Sequence, residues 1–155
     1  MDGIKLINGI TAEDMKNVIQ WTNSRGADFL CQWAGPRWKF PLTEKQITDE
    51  IKSIYSIMLD GKFVGMIQIV HKENLNAHIG RFIKNPNETG KGIGKTALKQ
   101  FCQMLFSDED IHSITLNVYD FNESAQKCYL KCGFEVVEKV SEEGQPAFLH
   151  MQITR

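Results

Sequence analysis

The chain has 155 residues, 42% apolar and 24% charged, which is ordinary for one soluble globular domain with a sizeable core. A net charge of −1 gives no general attraction to nucleic acid or to an anionic membrane, so any basic site must be local. No segment approaches eighteen consecutive apolar residues and no charged-then-apolar leader opens the chain. The four cysteines form no Cys-x-x-Cys pair, which points to reduced thiols and a cytoplasmic location rather than disulfides or a metal site.

Ile4 to Ile10 reads as a first strand, closed by Gly9 and Thr11. Thr11-Ala12-Glu13-Asp14 is a capping-box-like start for a helix carrying Met15, Val18, Ile19 and Trp21. An aromatic stretch from Gly26 to Leu42 follows, and Thr43 opens a second helix with Ile47, Ile51 and Ile54 at helical spacing. From Ser56 the period becomes that of strands. Ile57–Leu59 and Phe63–His71 flank Asp60-Gly61 as a hairpin, and Ala77–Lys84 is the next strand. A helix with Ala97, Leu98, Phe101, Leu105 and Phe106 on one face comes next, then a strand at Ser113–Tyr119 and a helix at Asn122–Lys131 stopped by Gly133. Phe134–Val140 and Ala147–Ile153 close the chain as strands. The order β-α-α-β-β-β-α-β-α-β-β predicts a mixed sheet flanked by helices, in the α/β or α+β class, with no repeat or linker.

Between the strand at Ala77–Lys84 and the following helix runs Glu88-Thr89-Gly90-Lys91-Gly92-Ile93-Gly94-Lys95-Thr96. Alternating glycines allow positive φ and close approach to a ligand, the helix start offers free amides and a positive dipole end, and two lysines add countercharge. This combination reads as a pyrophosphate cradle. A Walker A loop is one residue too short here, since Thr89 stands where its first glycine is required. A dinucleotide fingerprint fails on spacing and on its place beyond the middle of the chain.

With that order, the loop resembles the signature of the Gcn5-related N-acetyltransferase superfamily, an Arg/Gln-x-x-Gly-x-Gly/Ala run before a helix. Asn122, Ala125, Tyr129, Gly133 and Phe134 match its second hallmark, so the resemblance is firm over about 77–135. The chain departs from the pattern at Thr89, where Arg or Gln is usual. The resemblance implies one acetyltransferase domain, with an acceptor half at about 1–75, an acetyl-CoA half at about 76–135 and closing strands at 134–155. It implies acetyl-CoA as co-substrate, no metal, and direct transfer of acetyl to a primary amine in a ternary complex. The amine belongs to a small molecule or to a protein N-terminus or lysine. A non-catalytic acyl-CoA sensor of the same fold is the alternative, and the aromatics and terminal strands leave a homodimer open.

By the same resemblance, the strand around Arg81, Phe82 and Ile83 offers backbone groups to the pantetheine arm and thioester. Thr89, Gly90, Lys91, Gly92, Ile93, Gly94, Lys95 and Thr96 hold the pyrophosphate, with Asn122 and Lys127 further along the cofactor. Tyr129 is the general acid for the departing thiolate, the alternative being an aromatic packed between helix and sheet. His78 stands where several relatives place a carboxylate base; a strand histidine without a role is equally open. Phe29, Trp33 and Trp38 form the acceptor wall or part of the core.

Overall fold

The computed structural model describes residues 3–88 and 90–155. In chain order the elements are β1 (Ile4–Asn8), α1 (Ala12–Asn23), α2 (Ala27–Ala34), α3 (Glu44–Thr48), β2 (Ile54–Leu59), β3 (Lys62–Glu73), β4 (Asn76–Lys84), α4 (Ile93–Phe106), β5 (Ser113–Tyr119), α5 (Glu123–Lys131), β6 (Glu135–Val140) and β7 (Phe148–Thr154). The seven strands form a mixed sheet of order β1-β2-β3-β4-β5-β7-β6. It is mostly antiparallel, with β4 and β5 parallel over Asn76–His78 and Ser113–Thr115. The chain divides into two compact units: one runs to Ile69 and resumes over Gly80–Ile93, and the other holds Val70–Ile79 and Gly94–Arg155.

In the first unit, Thr11 caps α1 by accepting from the Asp14 amide at 3.1 Å. Asp60 and Gly61, with φ of 51° and 83°, make the type I′ turn that their sequence predicts between β2 and β3. Two differences from the sequence expectation stand out. Ala27–Ala34 is a helix: Gly26 and Gly35 bound it at positive φ, without a side-chain cap, so none of the usual helix-start residues announces it. Ile54 is the first residue of β2 rather than the end of a helix, because α3 stops at Thr48 and a single 3₁₀ turn over Ile51–Ser53 leads into the strand. The core joins Met15 and Val18 of α1, Leu30 and Ala34 of α2, and Ile47 of α3 to Ile54, Phe63, Met66 and Ile83 of the strands. Gly65 lets β4 pass closely: a Cβ there would collide with the Ile83 carbonyl oxygen.

In the second unit, Asn74 and Leu75, at φ 52° and 67°, turn β3 into β4. The β5–β7 ladder runs the full length of both strands, from Ser113↔Thr154 to Tyr119↔Phe148. Ile114, Leu116 and Val118 are buried on one face of β5, which leaves Thr115 and Asn117 on the other. Ala97, Leu98, Phe101 and Leu105 form the buried stripe of α4. Helix α5 is capped by Asn122, whose Oδ1 accepts from the Ala125 amide at 3.3 Å.

Candidate active site

The glycine loop has the backbone that its sequence demands. Gly90 and Gly92 lie at φ 77° and 71°, and among the described residues a Cβ built at either meets no atom within 4 Å beyond its chain neighbours. Glycine is therefore required by conformation and by whatever approaches the loop, not by crowding within the chain. Ile93 and Gly94 are buried in the first turn of α4, Lys95 is exposed and Thr96 half-buried. Thr89 lies outside the described residues. Lys91 is not a free countercharge, since its Nζ donates to Glu88 Oε2 at 2.7 Å while Lys62 Nζ donates to Oε1 at 3.0 Å. These two lysines, Lys91 first, hold the Glu88 carboxyl below the usual carboxylate range. The loop residues thus fit a pyrophosphate: exposed glycines in left-handed conformation run straight into a helix start.

Before that loop, β4 passes through Arg81 at φ 47°, a conformation that a side chain with a Cβ adopts only when its contacts enforce it. Here they do. The buried guanidinium donates from Nε to the Ala34 carbonyl at 3.1 Å, and from one terminal nitrogen to Glu50 Oε1 at 2.7 Å and Gln68 Oε1 at 3.1 Å. Its carbon lies 3.9 Å above the Trp38 ring. Glu50 also accepts from Gln68 Nε2 at 2.9 Å and from Trp38 Nε1 at 2.8 Å. Burial alone would push Glu50 up; the hydrogen bonds from Gln68 and Trp38 and the Arg81 charge outweigh it, so its pKa is lowered. Phe82 is half-buried and Ile83 buried, beside the Gly65 crossing.

The predicted acceptor wall divides. Trp38 is 5% exposed and belongs to the support of Arg81. Trp33 meets it edge-on at 6.0 Å, and the buried Trp33 Nε1 donor has no acceptor among the described residues. Phe29 is half-buried, with the Arg25 guanidinium 3.8 Å above its ring.

In the second unit, His78 is half-buried on the polar face of β4–β5, with Nδ1 2.8 Å from Thr115 Oγ1. Its ring stacks on His71 at 5.1 Å and on His150 at 6.1 Å. Burial first, then the neighbouring charges of His71 and His150, pulls its pKa down to about 4. Tyr129 sits on α5 with its ring tilted 58° against Phe134. Burial, with Cys128 and Cys132 behind it, raises its pKa, so the phenol is fully protonated at neutral pH. Lys127 is exposed on the same helix. Among the described residues no group of three or more His, Cys, Asp or Glu could hold a metal ion, and no helix is long and apolar enough to cross a membrane.

Glu50, Gln68, Glu88, Thr115 and Asn117 escape sequence reasoning. Only Gln68 carries a local signal, as one polar residue inside the apolar run Val64–Val70.

A glycine loop therefore joins a strand of this mixed sheet to a helix, and a half-buried tyrosine stands on the last helix. The acetyltransferase (GNAT) family profile matches residues 10–134, and the chain belongs to that family. Aminoglycoside N(6')-acetyltransferase type 1 of Klebsiella pneumoniae is 24% identical over 162 residues, covering 92% of this chain and 80% of that protein. The spermidine N-acetyltransferase of Vibrio cholerae, solved with CoA and spermine, superposes with a TM-score of 0.78 at 18% identity, covering 99% of this chain and 96% of that one. An aminoglycoside acetyltransferase in complex with coenzyme A and kanamycin gives 0.71 at 22% identity, covering 98% and 95%.

Proposed function

We propose that the protein acetylates a primary amine of a small cationic molecule, using acetyl-CoA and direct attack within a ternary complex. The observation that carries this reading is the pair Gly90 and Gly92, both left-handed and exposed, opening onto α4 in a chain of this family. Relatives named for aminoglycosides and for spermidine favour a small polyamine-like acceptor over a protein.

Bound acetyl-CoA supplies the acetyl group and departs as the free thiol. Loop amides from Gly90 to Lys95 and the Thr96 hydroxyl bind the pyrophosphate. Backbone groups of Arg81, Phe82 and Ile83 orient the pantetheine arm, and the Glu50–Arg81 pair fixes that stretch of β4. Asn122 and Lys127 flank the cofactor beyond the pyrophosphate. Tyr129 holds the proton for the leaving sulfur at its phenol oxygen; because burial raises its pKa, it gives that proton up less readily than an exposed phenol. Phe29 and Trp33 face the acceptor, and Trp38 braces Trp33 from its edge. The row of imidazoles containing His78 receives the proton that the acceptor ammonium must lose.

A thiol-release assay tests this with kanamycin, spermidine, spermine, an N-terminal peptide and a lysine peptide. Acetyl-CoA-dependent release with the small amines is expected. Release with the peptides alone would overturn the small-molecule acceptor, and CoA binding without release for any amine would establish a sensor. In the active case, Tyr129→Phe lowers kcat with little change in acetyl-CoA affinity; unchanged kcat removes Tyr129 as the acid.

A further inference from the structure

Ahead of the glycine loop, one carboxylate holds two ammonium groups that come from different parts of the first unit. Glu88 Oε2 accepts from Lys91 Nζ at 2.7 Å, and Oε1 accepts from Lys62 Nζ at 3.0 Å. The backbone beneath them is fixed. Asn85 donates its amide to the Val64 carbonyl at 2.8 Å, which ties the chain leaving β4 to β3 just beyond Lys62. The Asn85 side chain accepts from the Asn87 amide at 2.9 Å, and the Glu88 amide donates to the Asn85 carbonyl at 3.0 Å. Together these close a single 3₁₀ turn over Pro86–Glu88. Exposure separates the three side chains. That of Glu88 is 11% exposed, whereas those of Lys62 and Lys91 are 66% and 56% exposed. The lysines thus cover the carboxylate and present their ammonium groups to solvent on flexible stems.

Charge decides what this arrangement can do. Lys91 stands between the left-handed Gly90 and Gly92, so its stem springs from the loop itself. Glu88 and Lys91 cancel, and the net positive charge of the trio comes from Lys62, 26 positions before Glu88. Ion pairs this exposed are weak and are screened by salt. A pyrophosphate carries more charge than a carboxylate and offers more oxygens, so the same ammonium groups bind it more strongly. An anion on the loop therefore competes with Glu88 for both lysines and is repelled by the carboxylate. We propose that Lys62 and Lys91 are exchange partners: they hold Glu88 in the free protein and turn to the cofactor's pyrophosphate when it binds. Glu88 is then the built-in competitor that limits affinity. Lys62 is a further phosphate-binding residue, contributed by β3 rather than by the loop. This rests on the coenzyme A reading above.

Calorimetry with the full chain tests this, using CoA and dephospho-CoA, which lacks only the 3′-phosphate. Glu88→Gln removes the competing charge and keeps the shape of the side chain. It is expected to bind both ligands about fivefold more tightly than wild type. Equal or weaker binding would overturn the competitor role. Lys62→Gln is expected to bind both about fivefold more weakly, and to lose less affinity than wild type as salt is raised. In the Glu88→Gln background Lys62→Gln should still cost that factor. No cost there would mean that Lys62 only neutralises Glu88, and would overturn the exchange. Melting without ligand checks that each variant folds, and Glu88→Ala supplies the background if Glu88→Gln does not. Effects on CoA that vanish with dephospho-CoA would move the lysines to the 3′-phosphate and overturn the pyrophosphate assignment. Wild type and Glu88→Gln that bind neither ligand would overturn the coenzyme A reading, and this proposal with it.

Discussion

Gly92 carries its consequence in its own backbone. At φ 71°, valine is strained by about 1–2 kcal/mol, and its branched side chain would stand in the way of the proposed pyrophosphate. Because Gly92 is exposed, Gly92→Val should fold nearly as well as wild type and yet lose coenzyme A binding by calorimetry; wild-type affinity would remove the loop from the cofactor site. The left-handed backbone at Gly90 and Gly92 was legible in the sequence because glycine itself is the signal. His78 was legible only as a residue on a strand face. Its Nδ1 meets Thr115 Oγ1, 37 positions away, through a contact that no local pattern records. It also makes stability depend on pH. The folded ring titrates near 4 and the unfolded one near 6.5, so between those values the unfolded chain binds more protons. Stability is complete above about 6.5, falls as pH drops through that window, and is lower by at most about 3 kcal/mol below 4. Urea unfolding at pH 7.5 and 5 should show this loss, and His78→Gln should flatten it; an equal slope in both proteins would mean that His78 titrates as an ordinary histidine.

Among the elements, the one most dependent on tertiary contacts is the second half of β4. Arg81 is buried with a left-handed backbone, and its charge is answered by Glu50, which follows α3 in the chain. Removing Glu50 leaves a cation without its counter-charge inside the first unit and an orphaned Trp38 N–H, while the Gln68 amide keeps its bond to Ser53 Oγ. Glu50→Ala should therefore cost about 3–5 kcal/mol in urea unfolding, well above an exposed ion-pair loss, whereas a cost under about 1 kcal/mol would show that water reaches the guanidinium. Sequence periodicity recovered β4 and the half-buried face shared by His78, Gly80 and Phe82, since alternation is a local property. It could not recover the cluster, in which Gln68 and Glu50 stand 13 and 31 positions from Arg81. Helix α2 was missed for a related reason. Its sequence ADFLCQWA is apolar on most sides and is bounded by glycines, so tertiary burial of Leu30 and Ala34, rather than a capping pattern, decides its conformation.

For the molecule as a whole, the consequence of the proposed pyrophosphate site would be ligand-dependent stability. A ligand that binds only the folded chain at about 100 times its Kd adds about 2.7 kcal/mol. For a chain of 155 residues this raises Tm by about 5–10 °C. Acetyl-CoA and CoA should both produce the shift, ATP and NAD should not, and Gly92→Val should abolish it. The comparison matters because the loop is one residue away from a Walker A run, and Thr89 stands where the family usually has Arg or Gln. A shift with ATP alone would favour phosphate chemistry over acyl transfer. The absence of a shift with CoA would mean that the hydroxyl of Thr89, and a Lys91 already paired to Glu88, hold the pyrophosphate too weakly for coenzyme A to be a working ligand.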